Sequence, residues 1–242
     1  MNDRIAEYCK KLRLSSAFAE NAVSLTAESN QEYMLKILEA EIEQRWQKKC
    51  LRNLKQAGFD QIKTFENYQF DRITFPNLLP QEEMRSLSFL DRAENLIFYG
   101  RNGAGKSHMA TAIGVEVCMR GKTVKFYKTA DLVNELIAAK EAGTLPKLLN
   151  KLKKTDLLIC DEWGYLPFDA EGSQLLFQVI ANSYENRSLI ITTNIEFSKW
   201  NGIFYDDQLT AALLDRLIHH SHLIVFDRDS WRFEHSLMKE SS

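Results

Sequence analysis

Hydrophobic and polar positions change rhythm once along this chain, near residue 60. Before it, Leu35, Ile37, Leu38, Ile42, Trp46, Leu51 and Leu54 recur near the helical period. Ser29-Asn30-Gln31-Glu32 has the form of a capping box at the start of a long helix, and Gly58 is a natural stop. The first 60 or so residues are therefore expected to be all-helical. Residues 59–94 read as a connector whose Pro76 and Pro80 break regular structure. From residue 95 short apolar runs alternate with longer amphipathic stretches. Strands are predicted at 95–99, 123–128, 157–160, 188–193 and 222–226, and helices at 106–120, 130–142, 173–184 and 208–219. The unbroken apolar run at 157–160 suits a strand buried on both faces. The alternation predicts an α/β fold, a parallel five-stranded sheet flanked by helices. The expected division is a small helical N-terminal region over 1–64 and an α/β domain over 65–242.

Composition narrows the picture. The 242 residues carry a formal net charge of -2, so the chain as a whole is not a basic nucleic-acid binder. Any such contact must come from a local patch. Arg45, Lys48, Lys49, Arg52 and Lys55 share one face of the predicted long helix, and Lys147, Lys151, Lys153 and Lys154 form a second cluster. Either set equally fits a solvated helix face. Cys9, Cys50, Cys118 and Cys160 stand far apart without a C-x-x-C pair, which favours reduced thiols over disulfides or zinc. The sequence has neither a membrane-length apolar run nor the apolar core of a signal peptide, so a cytoplasmic location without membrane contact is expected.

The candidate chemistry starts at Gly100-Arg101-Asn102-Gly103-Ala104-Gly105-Lys106-Ser107, followed by His108. This string fits the phosphate-binding loop G-x-x-x-x-G-K-[ST] at every fixed position, between a predicted strand and a predicted helix. Glycines let several backbone N–H groups face one phosphate cluster, and the helix adds its positive end. Lys106 suits the β- and γ-phosphates and the Ser107 hydroxyl suits Mg²⁺. The apolar run at 157–160 ends in Asp161-Glu162, a Walker B pattern: Asp161 for Mg²⁺, Glu162 to orient and deprotonate the attacking water. Asn194 ends the next strand and suits a γ-phosphate sensor. Arg216, near the end of a predicted helix, fits either an arginine finger from a neighbouring subunit or a charge that compensates the helix dipole. His219, His220 and His222 raise a metal site. No cysteine or carboxylate stands at ligand spacing beside them, so they are read as ending the helix and entering the strand.

Together these residues resemble the IstB family of transposition helper ATPases, an AAA+ branch related to the DnaC helicase loaders. The resemblance covers nearly the whole chain. It runs through Leu12-Arg13-Leu14, Leu38-Glu39-Ala40-Glu41, Ala57-Gly58-Phe59 and Ala93-Glu94-Asn95-Leu96. It continues through Asp161-Glu162-Trp163-Gly164-Tyr165-Leu166-Pro167, Leu176-Phe177-Gln178 and Tyr184-Glu185. Thr192-Thr193-Asn194, Phe197-Ser198-Lys199-Trp200 and Leu214-Asp215-Arg216-Leu217-Ile218-His219 follow in family order. The long Walker B extension and the Asp-Arg-Leu-Ile-His string are its most specific parts. The loop departs from the family in Arg101-Asn102, where two prolines are commoner, and in Ser107, where Thr is commoner.

The resemblance implies an AAA+ P-loop NTPase with ATP and Mg²⁺ as cofactors. It implies Asn194 as sensor 1, Arg216 as the finger, and a nucleotide contact from Arg232 in Ser230-Trp231-Arg232. It implies a DNA-stimulated ATPase that oligomerises on duplex DNA and helps a transposase choose its target and transfer strands. A helicase loader acting on single-stranded DNA is the alternative, and a non-hydrolysing scaffold is a third reading. Only 16 residues follow Phe226, so little or no C-terminal lid is expected. Closure over the nucleotide then falls to a neighbouring subunit or to the connector around Phe65 to Phe75.

Overall fold

The computed structural model describes residues 2–66, 68–165, 168–204 and 206–234. Leu166 and Pro167 of the Walker B extension and the side chain of Arg232 lie outside the described set. The chain forms two compact units that meet at Asn53/Leu54.

The first unit is helical: α1 (Asn2–Lys11), α2 (Ser16–Ser24) and most of α3 (Asn30–Ala57). Ser15 caps α2 by accepting from the Phe18 N–H. Ser29 likewise accepts from Glu32 N–H at the start of α3, but the Glu32 carboxylate reaches back to Glu28 N–H instead of closing a reciprocal box. Glu41 fastens this unit. Its buried carboxylate accepts from the Ser15 backbone at 3.0 Å, from the Ser15 hydroxyl, and from Arg45 Nε at 2.7 Å. Burial alone would raise the Glu41 carboxyl. The hydrogen bonds from Ser15 and Arg45 outweigh burial and hold it below its ordinary 4.5. A depressed carboxyl contributes fully above its unfolded value and less as pH falls through its folded one. Part of this unit's stability is therefore expected to be lost as the pH falls below about 4.5. Hydrogen exchange over residues 15–45 should show the loosening, and Glu41→Gln should remove its pH dependence.

The second unit is a layered α/β domain. Its elements are β1 (Ile73–Thr74), α4 (Gln81–Ser86), β2 (Asn95–Gly100), α5 (Lys106–Met119), β3 (Val124–Lys128) and α6 (Thr129–Glu141). There follow α7 (Leu145–Lys153), β4 (Leu157–Asp161), α8 (Ala170–Ser183), β5 (Ser188–Thr193), α9 (Asp207–His219), β6 (Ser221–Phe226) and α10 (Trp231–Glu234). The sheet order is β1-β6-β2-β5-β4-β3. All pairings are parallel except β1 with β6. The fold is that of a P-loop NTPase, with six strands in place of the five expected. The sixth, two residues long, adds to the free edge of β6. The connector also holds α4, which Pro80 precedes: at that position its missing N–H costs no helix bond, and its carbonyl accepts from Met84 N–H at 3.0 Å.

Alternating residues of each strand feed two cores. Leu96, Phe98, Leu157, Ile159 and Ile190 pack with Met109, Ile113 and Val117 of α5. Ile97, Leu158, Leu189 and Ile191 pack with Leu132, Leu136, Leu176 and Leu213 of α6, α8 and α9. Helix α7 was not anticipated from the sequence. Its leucines at 148 and 152 are buried while Lys147, Lys151, Lys153 and Lys154 face solvent. The four cysteines are buried. Burial pushes the Cys160 thiol up to about 12, which makes it a packing group. Among the described residues no helix is long and apolar enough to cross a membrane.

Candidate functional site

Parallel register brings five strand ends level. Gly100 at the end of β2 lies beside Phe226, Tyr99 pairs with Thr193 of β5, and Asp161 of β4 pairs with Lys128. Open parallel sheets bind ligands at this carboxyl edge, and the glycine loop lies there.

The loop has the backbone of a phosphate cradle. Gly103 and Gly105 hold φ of 80° and 94°, the left-handed region that side chains avoid. A Cβ on Gly103 would stand 2.1 Å from the Ser230 hydroxyl, and one on Gly105 2.9 Å from the Tyr68 hydroxyl. The loop is therefore clasped from both sides. On one side the Tyr68 hydroxyl donates to Gly105 O at 3.2 Å and its ring lies 4.9 Å from His108, whose Nε2 meets Thr64 O at 2.8 Å. Burial raises the Tyr68 phenol above its ordinary range, so it stays a donor. On the other side Trp231 N–H donates to Gly103 O at 3.2 Å, and Arg101 faces Asp229 at 3.6 Å. The buried Lys106 ammonium donates to Gly100 O at 2.7 Å and Arg101 O at 2.9 Å. Its charge is thus held at the centre of the loop.

Ser107 and the acidic strand meet directly. The Ser107 hydroxyl donates to Asp161 Oδ1 at 2.8 Å. A hydroxyl and a carboxylate side by side are the oxygen donors a magnesium ion takes, so the residues fit Mg²⁺. Asp161 is buried and further fixed by two threonines: Thr192 donates to its side chain and Thr129 to its backbone carbonyl. The Thr192 hydroxyl also accepts from Glu162 N–H at 3.0 Å. Glu162 holds φ of 58°, a left-handed conformation costly for a side-chain-bearing residue. Its neighbour Trp163 is fully buried against Trp200 at 5.5 Å, and the Trp163 backbone N–H donates to Thr192 O. This anchor leaves the Glu162 carboxylate exposed at the strand end. Asn194 Nδ2 donates to Asn102 Oδ1 at 3.2 Å, which ties the end of β5 to the loop.

The other predicted residues lie elsewhere. The Arg216 guanidinium covers the Phe177 ring at 5.2 Å and donates to Ala212 O. It lines a crevice with Asn95, the first residue of β2. It therefore belongs to the amino edge of the sheet, about 16 Å from this chain's own loop by the length of β2. Arg45, Lys48, Lys49, Arg52 and Lys55 are exposed along α3. Arg45 is committed to Glu41 and to Arg13 O, and Lys49 lies over the Trp46 ring. Sequence reasoning missed Thr192, Thr129, Tyr68 and Ser230 as partners of this site. The paired threonines at the end of an otherwise apolar strand, 192 and 193, were the available signal.

A family model described as IstB-like ATP binding protein matches residues 8–239. The chain belongs to this family. Among curated members, an ATP-binding protein of insertion sequence IS5376 from Geobacillus stearothermophilus is 37% identical, aligned over 99% of this chain and 98% of its own length. A counterpart in IS21 of Pseudomonas aeruginosa is 35% identical over 84% of this chain and 77% of its own. Of solved structures, AMPPCP-bound DnaA from Aquifex aeolicus superposes with a TM-score of 0.55 at 20% identity, over 76% of this chain and 55% of that one. DnaI superposes at 0.52 and 16% identity, over 69% and 89%. This chain thus spans about half the DnaA length, and the likeness establishes the shared fold alone. For this IstB-like chain, family membership supports ATP as its ligand.

Proposed function

We propose that this IstB-like protein hydrolyses ATP as an oligomeric, DNA-binding helper of a transposase. The observation that carries the reading is the Ser107–Asp161–Thr192–Glu162 cluster, in a chain whose relatives are named as ATP-binding proteins of insertion sequences. Lys106 would exchange its loop carbonyls for the β- and γ-phosphates, and backbone N–H groups of 103–107 would hold the remaining phosphate oxygens. Ser107 and Asp161 would hold Mg²⁺, which supplies positive charge against the phosphates. Glu162 orients a water and takes its proton as the oxygen attacks the γ-phosphorus. The bond to the bridging oxygen breaks and ADP leaves. Asn194, already tied to the loop, contacts the γ-phosphate. Closure comes from the connector at Tyr68 and His108 and from the segment around Trp231, beside which Arg232 makes a further contact. Arg216, at the far edge of its own sheet, serves the nucleotide of a neighbouring subunit. Residues 1–64 provide DNA or partner contacts, with the α3 basic residues as the duplex-binding face, and residues 65–242 provide the ATPase. The protein acts in the cytoplasm.

Two expected results test the reading. Sedimentation with ATP should show large assemblies on duplex DNA that do not form with ADP. A discrete complex on single-stranded DNA alone would instead indicate a helicase loader. Thr192→Val removes the hydroxyl shared by Asp161 and Glu162 while keeping a β-branched strand residue. It is expected to lower kcat about 10–100-fold with a smaller change in KM, and Thr192→Ser should restore most of the rate. Equal loss in Val and Ser variants would reduce Thr192 to packing.

A further inference from the structure

The amino edge of the sheet holds a second cluster that the ATPase reading leaves unused. Glu185, His219 and His220 each offer a ligand atom, and these atoms lie within 4.8 Å of one another. Two backbone irregularities assemble them. Glu185 follows α8 with φ of 55°, a left-handed residue that is not glycine. His220 caps α9 at φ -117° and ψ 29°, so the helix breaks between the two histidines and their rings come within 4.6 Å. The main chain is fixed there, because Asn95 N–H donates to His220 O at 2.7 Å.

We propose that the chain binds one zinc-type divalent transition-metal ion through Glu185, His219 and His220. Imidazole with one carboxylate suits zinc, cobalt or nickel and not magnesium or calcium. His220 Nε2 and Glu185 Oε1 stand 3.2 Å apart. Metal–ligand bonds of about 2.0–2.1 Å in a tetrahedron put neighbouring donors about 3.3 Å apart, so this pair already has the required spacing. The Tyr184 hydroxyl meets His219 Nδ1 at 3.0 Å, the outer hydrogen bond that orients a ligating imidazole and leaves Nε2 for the metal. Glu185 and His219 are exposed, so modest side-chain rotation closes the site, and a fourth position stays open to water. The local spacing rule argued against a metal at these histidines. That rule weighs only the histidines' own segment, whereas the carboxylate of this cluster comes from the turn after α8. The ion clips the end of α9, one helical turn beyond Arg216, to that turn.

Purified full-length protein without nucleotide, in excess Mg²⁺, is titrated with Co²⁺ and followed by its ligand-field absorption. Zn²⁺ is titrated by calorimetry. One ion per chain with a tetrahedral Co²⁺ spectrum is expected. Glu185→Gln, His219→Ala and His220→Ala should each weaken it at least about 10–100-fold with unchanged circular dichroism. His222→Ala, whose imidazole meets Glu94, should bind as the parent does. Zn²⁺ should raise the thermal midpoint of the parent but not of the three variants. Binding that survives those three variants, that is lost in His222→Ala, or that never saturates at one ion overturns the proposal. These readouts do not involve ATP, so their failure is separate from failure of the ATPase reading.

Discussion

Glu162→Gln is expected to bind ATP with close to parental affinity and to hydrolyse it at least about 100-fold more slowly. The expectation rests on a division of labour within one residue. The Glu162 backbone belongs to the framework: its N–H donates to Thr192, and its left-handed φ is held by the buried Trp163 that follows. The carboxylate projects into solvent at the strand end beside Asp161. Glutamine preserves size, backbone bond and strain but cannot accept the proton of the attacking water. In the proposed site the phosphate contacts fall to the loop and to Lys106, whose ammonium is held by Gly100 O and Arg101 O and which the change does not touch. Single-turnover hydrolysis with a separate measurement of nucleotide affinity checks this. A variant that hydrolyses within about threefold of the parent would place the base elsewhere and remove the main support for an active enzyme. An ATP-bound, non-hydrolysing form should also keep any DNA assembly intact longer than the parent does.

Much of this site was legible because its chemistry is local in sequence. A phosphate loop is eight consecutive residues, and its glycines declare a backbone that other residues avoid. The apolar run into Asp161-Glu162 likewise carries its meaning along one strand. What escaped is what the fold joins from separate elements. Thr192 reads as an ordinary β-branched strand residue, and only the β4–β5 register puts its hydroxyl on Asp161. Tyr68 and Ser230 flank the loop from segments on either side of the domain's sequence. Strand β1 is too short to carry a pattern and exists because β6 offers an edge. Helix α7 is a different failure. Leu145, Leu148, Leu149 and Leu152 carry helical spacing, but the lysines interleaved with them make the segment read as a charge cluster. For Arg216 the helix was legible and its edge of the sheet was not. That placement makes action on its own chain's nucleotide geometrically unfavourable.

Arg187→Ala is expected to destabilise the α/β domain by about 3 kcal/mol while leaving ATP affinity unchanged well below the unfolding transition. Arg187 is buried just before β5, at the sheet edge opposite the loop. Its Nε donates to Ser183 Oγ at 2.8 Å, and its Nη1 donates to Leu152 O and, at 3.1 Å, to Thr155 Oγ1. It therefore joins the ends of α7 and α8 through groups that have no access to water. Burial draws the guanidinium down to about 10, which still leaves it charged throughout the neutral range. Its effect on stability is then flat between pH 5 and 8 and, unlike that of Glu41, stays so as the pH falls below 4.5. Alanine opens a cavity and strips Ser183 and the end of α7 of a charged donor. Methionine would fill part of the space without replacing the bonds, and lysine cannot span three acceptors with one ammonium. All three variants should lower the midpoint, alanine most, by about 6–12 °C for a chain of this size. Thermal unfolding beside ATP titration at 20 °C separates the outcomes. A loss below about 1 kcal/mol would mean that removing the desolvated charge offsets the broken bonds. Weakened ATP binding in the folded variant would show that this edge of the sheet is coupled to the loop, which the framework described here does not provide.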